Sequence, residues 1–196
     1  MGDAAVIALT VQWLERAVIG LNLCPFAKNV HVKGQIHYVV TTARTHADLL
    51  ESLKNELNGL QAQESITRDT TLLIAPAAFP DFLDFHDFLP DCDRLLRRMK
   101  LDGAFQIVSF HPQFQFANTA PDEITNYTNR APFPILHVLR EDSIDRAVAA
   151  FPEPDAIFEK NMQTLRDLGV QGWDALGVQA PTGAGDISGH CKIAAT

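Results

Sequence analysis

Apolar positions along the chain follow two rhythms, one of about 3.6 residues and one of two, punctuated by prolines and glycines. Val6, Leu9, Trp13, Ala17 and Gly20 recur at helical spacing behind Asp3, which can accept a capping hydrogen bond, and so predict a helix from Ala4 to about Leu21. Pro25 stops it. Gln35 to Thr42, built around Ile36, Tyr38, Val39 and Val40, reads as a strand. Thr45 then caps a second helix, with Asp48 in the capping-box position and Leu49, Leu50, Leu53, Leu57 and Leu60 on its inner face. Thr70 to Ala75 is apolar on both sides and β-branched at its start, as a buried central strand requires.

After Pro76, Asp81 opens a helical region carrying Phe82, Leu83, Phe85, Phe88 and Leu89. Pro90 breaks or kinks it, and Cys92, Leu95, Leu96 and Met99 resume the apolar face up to Gly103. Phe105 to Phe110 and Ile135 to Arg140 predict two more strands. Ser143 to Ala150 is a short helix, and Pro154 to Leu168 a last one ended by Gly169. Strands alternating with long helices imply crossover units. The expected fold is α/β or α+β, with a single mixed or parallel sheet of about four or five strands covered by helices. Residues 1–173 are expected to form one globular domain, and 174–196 a Gly/Ala-rich, loosely ordered tail.

The composition narrows the partners. Of the 196 residues 46% are apolar and 20% charged, close to the globular average, and the length suits one domain. A net charge of −8 and a pI near 5.2 argue against nucleic acid and anionic membranes, which are held by clustered Lys and Arg. The best basic cluster, Arg94, Arg97, Arg98 and Lys100, ends a predicted helix, where cations suit the helix dipole. Three cysteines, Cys24, Cys92 and Cys191, are an odd number spread widely through the chain, which points to a reducing compartment. The apolar run from Ala4 to Leu23 is broken by Gln12, Glu15 and Arg16 and lacks the marks of a signal peptide or a membrane span. The expected location is cytoplasmic.

Candidate chemistry lies in three segments. In Ser109-Phe110-His111-Pro112-Gln113-Phe114-Gln115-Phe116, an extended chain sets His111, Gln113 and Gln115 on one face and Phe110, Phe114 and Phe116 on the other. Pro112 places the stripe at an edge or beyond the strand's carboxyl end, where α/β sheets collect ligands. A water-facing edge strand gives the same pattern. In the second segment Asn129 and Arg130 precede the fourth strand: arginine offers a five-donor fork for a carboxylate or phosphate, and asparagine both a donor and an acceptor. The alternative is a loop locked to its own protein. His137, between Ile135 and Leu139, fits a hydrogen-bonded core histidine better than a ligand. Arg140 shares a face with Leu136 and Val138 and suits a nearby carboxylate. The third segment holds Cys24 at a helix C-terminus, which opposes thiolate formation, so a nucleophilic role needs help from Lys28 or a histidine. Packing is the simpler role for Cys24.

No glycine-rich phosphate loop, paired C-x-x-C, zinc-binding histidine helix or G-x-S-x-G elbow is present, so no metal ligand set or known cofactor motif is legible. The segments L-C-P-F-A-K, S-F-H-P-Q-F-Q-F-A and N-Y-T-N-R-A-P-F-P-I-L-H-V-L-R-E together resemble the bacterial family known as domain of unknown function 1415, over Val11 to about Trp173. Ala131 stands where members often have serine. The resemblance implies no activity, only that these segments matter. The leading expectation is a small-molecule enzyme for an anionic substrate, with His111 as general acid or base, Gln113 and Gln115 as orienters, and Asn129 and Arg130 as anion binders. Two alternatives are a haem- or metal-binding protein using His111 with His137 or Cys24, and a noncatalytic module presenting Phe82, Phe85 and Phe88 to a partner.

Overall fold

The structure is a computed structural model that describes residues 1–149 and 156–180. Its elements are α1 (Asp3–Trp13), a π-helix (Leu14–Ile19), α2 (Ala27–Val32), β1 (Ile36–Val40), α3 (His46–Gln61), β2 (Thr70–Ile74), α4 (Phe82–Met99), β3 (Phe105–Phe110), a 3-10 helix (Ile124–Asn129), β4 (Ile135–Arg140), α5 (Glu141–Ala149) and α6 (Ala156–Ala175). The four strands form one open sheet in the order β1-β2-β4-β3. β1 and β2 are parallel, and β4 runs antiparallel to both its neighbours. The class is therefore α+β with a mixed sheet.

Only β1-α3-β2 joins adjacent parallel strands through a helix. The segment from His111 to Pro134 carries no long crossover helix, so the chain turns back and β4 enters antiparallel, between β2 and β3. As a result the carboxyl ends of β1, β2 and β3 and the amino end of β4 meet at one edge of the sheet. The candidate segments around His111 and Arg130 both emerge there.

Side-chain alternation divides the core in two. On one face Leu73, Leu136 and Val138 pack with Leu49, Leu53, Leu57 and Leu60 of α3 and Phe85, Phe88 and Cys92 of α4. On the other, Leu72, Ile74 and Ile135 pack with Val6, Trp13 and Ala17 at the N-terminus and with Leu165 and Trp173 of α6. β2, covered on both faces, is buried throughout. The helix starts follow their caps: Thr45 Oγ1 accepts the Asp48 N–H at 3.2 Å, and Asp81 accepts from Leu83 and Asp84 at 2.7 and 3.3 Å. Pro90 lies inside α4 without ending it, while the buried face from Phe85 to Leu96 continues past it.

Two helices differ from their sequence-based outlines. α5 starts at Glu141, directly off β4. α6 does not end at Gly169; the residue adopts φ 65°, ψ 172° and the helix resumes as far as Ala175. The segment from 174 onward is ordered into the fold at least as far as Val178, which is 3% exposed. The remainder of the expected tail, 181–196, with Cys191, lies outside the described residues, as do Ala150 and Pro154.

Candidate functional site

β3 ends at Phe110, and a turn over Pro112 and Gln113, closed by the Phe114 N–H on the His111 carbonyl at 3.1 Å, replaces the extended stripe expected of this segment. Phe110 turns toward Trp13 on one side of the sheet, whereas Phe114 packs on Phe82 of α4, with ring centroids 5.1 Å apart in both pairs. His111 goes inward. It is 1% exposed and sits against Phe82 and Phe85. Its Nδ1 accepts the Gln113 N–H at 3.0 Å, so the proton is on Nε2, which donates to the Phe79 carbonyl at 2.9 Å. Burial lowers its pKa against the opposing pull of that carbonyl and of Asp81. The imidazole is thus neutral with both nitrogens occupied. The residue it holds, Phe79, is at φ 52°, a left-handed conformation that a bulky side chain rarely takes. His46, Phe85 and Phe88 pack around the Phe79 ring and help to keep it there.

The loop to β4 is stitched mostly to itself. Gln113 is exposed, and Gln115 donates to the Thr119 carbonyl at 2.5 Å. Buried Asn126 accepts from the Phe116 N–H and Thr119 Oγ1 and donates to the Ala120 carbonyl. Asn129 donates to the Ser109 carbonyl at 3.2 Å, and its own carbonyl accepts the His111 N–H. Arg130 is gripped through Nε by the Phe114 carbonyl at 3.2 Å and through Nη2 by the Pro121 carbonyl at 2.5 Å. Its guanidinium lies 4.1 Å over the Tyr127 ring, and its backbone carbonyl accepts the Trp13 indole N–H at 2.8 Å.

At Arg130 opens a cleft of about 270 Å³, lined also by Pro112, Tyr127, Pro132, Trp173, Val178 and Ala180. Among the described residues Arg130 is the one charged side chain on its wall. The structure brings the His111 and Arg130 segments together through backbone contacts, yet the His111 imidazole does not line the cleft.

The remaining sequence candidates lie elsewhere. His137 Nε2 meets Thr70 Oγ1 at 2.6 Å, and burial holds its pKa near 4. Arg140 finds carbonyls rather than a carboxylate: its Nη2 donates to Leu60, Gln63 and Arg68, clamping the end of α3 to the sheet. Cys24 packs against the α1 and α6 core with its thiol pKa raised, chiefly by desolvation, and Lys28 is exposed. His137 shares its strand face with Ile135, in the core opposite the one His111 enters, so the two imidazoles do not face one another. Among the described residues no three His, Cys, Asp or Glu side chains gather as metal ligands. Phe85 and Phe88 are buried core, and Phe82 is 8% exposed.

The family model described as Protein of unknown function (DUF1415) matches residues 5–175. The chain belongs to this family. The match is wider at both ends than the span suggested by the three motifs. No curated protein and no solved structure matches it. Within this DUF1415 chain, Ala131 is 6% exposed and borders the cleft. The match also takes in Trp173, a wall residue that sequence reasoning missed because Gly169 appeared to end the helix before it.

Proposed function

We propose that this protein binds a small anionic molecule in the cleft beside Arg130. The observation that carries the reading is the state of that arginine. Two carbonyls fix its fork, Tyr127 supports its face, and among the described residues no carboxylate lies within ion-pair distance of it. A cation held in place without an anion, in a protein of net charge −8, is a site prepared for one from outside. Asn129 supports the site from behind through Ser109, and His111 does so through the turn that carries Pro112. His111 then acts as a positioning residue. A part for it as general acid or base requires one of its two hydrogen bonds to open when substrate arrives.

Thermal-shift screening with small carboxylates and phosphates, followed by calorimetry, checks the reading. An Arg130-dependent ligand should lose roughly tenfold or more in affinity in Arg130→Gln, and less in Arg130→Lys, which keeps charge but not the fork. A ligand bound equally by wild type and both variants does not use this site. His111→Asn separates the two roles: a positioning histidine lowers affinity and stability together, whereas an acid–base histidine lowers turnover with affinity retained.

A further inference from the structure

We infer that the cleft's occupant is a monocarboxylate carried on a flat apolar ring, and that the Trp173 indole N–H is its second recognition donor. This rests on the reading that the Arg130 cleft takes an anion and fixes which kind. Size comes first: about 270 Å³ is just under the ~300–1,000 Å³ typical of drug-sized pockets, which suits a molecule of one or two rings. Charge comes next. Among the described residues Arg130 alone supplies a formal charge to the wall, and the chain as a whole is at −8, so a dianionic phosphate meets one cation there and a repulsive field.

The donors decide the rest. With Nε and one N–H of Nη2 of Arg130 committed to carbonyls, Nη1 and the second Nη2 N–H are the part of the fork left over. Trp173 is 3% exposed and meets Tyr127 edge-on with centroids 5.1 Å apart. Its indole N–H takes no hydrogen bond among the described residues, yet it is not among their fully occluded polar atoms. Trp173 itself lines the cleft, so an acceptor bound there would find the unpartnered indole close by. The chain's other tryptophan shows the contrast, since Trp13 donates to the Arg130 carbonyl at 2.8 Å. An indole N–H that no protein acceptor takes remains available to an acceptor brought by a ligand. Two donors, one charged and one neutral, match the two oxygens of a carboxylate. The rings of Pro112, Pro132 and Tyr127 leave flat apolar walls for the body behind it.

The experiment uses ¹⁵N-labelled wild-type protein titrated with benzoate, indole-3-carboxylate and 2-naphthoate, with benzamide and inorganic phosphate as controls. Calorimetry is run in parallel on wild type, Arg130→Gln and Trp173→Phe. The faster-exchanging of the two indole N–H signals is that of Trp173. It should shift with at least one carboxylate and stay put with benzamide, and affinity for that carboxylate should fall roughly tenfold in each variant. The wild-type signal answers the question even where Trp173→Phe fails to fold. Arg130-dependent binding of phosphate with none of the aromatic carboxylates overturns the carboxylate assignment and leaves the anion cleft standing. Carboxylate binding with an unmoved Trp173 signal overturns the role of Trp173. Failure of every anion to bind through Arg130 overturns both this inference and the reading beneath it.

Discussion

Single residues here are read by which atoms remain free. His111 and His137 are both neutral in the folded chain, with pKa values held below the ordinary histidine value by burial, that of His137 near 4. The unfolded chain protonates both near ~6.5. A base whose folded pKa is depressed takes up protons preferentially on unfolding, so stability is unaffected well above pH 6.5 and falls as pH drops from about 6.5 toward 4. For His137 alone the loss amounts to ~3 kcal/mol at most. Urea midpoints of wild type should therefore drop between pH 7 and pH 4.5 by more than those of His137→Gln. Equal drops would show that His137 titrates normally in the native state. The roles of these two histidines were partly legible in advance. A histidine between Ile135 and Leu139 on a strand is expected to be hydrogen-bonded core, and its Thr70 contact has that character. The alternation around His111 gave no such guidance, because the turn at Pro112 depends on Asn129, far along the loop, receiving the His111 N–H.

Among the elements, boundaries set by local chemistry were readable and those set by distant contacts were not. β3 and β4 run from Phe105 to Phe110 and from Ile135 to Arg140, the spans their periodicity predicts. Thr45 and Asp81 cap α3 and α4 as their side chains allow. At Gly169 the local signal misleads. Glycine past an apolar stripe normally closes a helix, but here the chain uses φ 65°, ψ 172° to redirect the helix and resume it, which delivers Trp173 to the cleft. That combination of angles is almost exclusive to glycine. Gly169→Ala should cost ~1–3 kcal/mol of stability by chemical denaturation and should also weaken any ligand held by Trp173. Loss of stability with ligand affinity intact would mean that the bend does not set the tryptophan.

At the scale of the whole molecule, the sheet separates two cores that share no helix. Leu53 on α3 and Leu165 on α6 are each 0% exposed, one in each core. Leu53→Ala and Leu165→Ala should each cost ~2–5 kcal/mol, and the double variant should equal the sum within ~0.5 kcal/mol, as measured by urea midpoints. A larger departure would show that the sheet transmits strain between its faces. The same division bears on function: the His111 network belongs to the α4 side, and the Trp173 wall of the cleft to the α6 side. The loop from His111 to Pro134 joins them at the edge of the sheet.

The sequence by itself determined the strands, most of the helices and a single helix-covered sheet, because caps, prolines and apolar periods act over a few residues. Tertiary structure decided the place of β4 between β2 and β3, the inward turn of His111, the left-handed Phe79 it holds, and the arrival of Trp173 beside Arg130. Each of these depends on a partner far along the chain, and hydrogen-bond pairing at that separation leaves no periodic trace in the residues that make it.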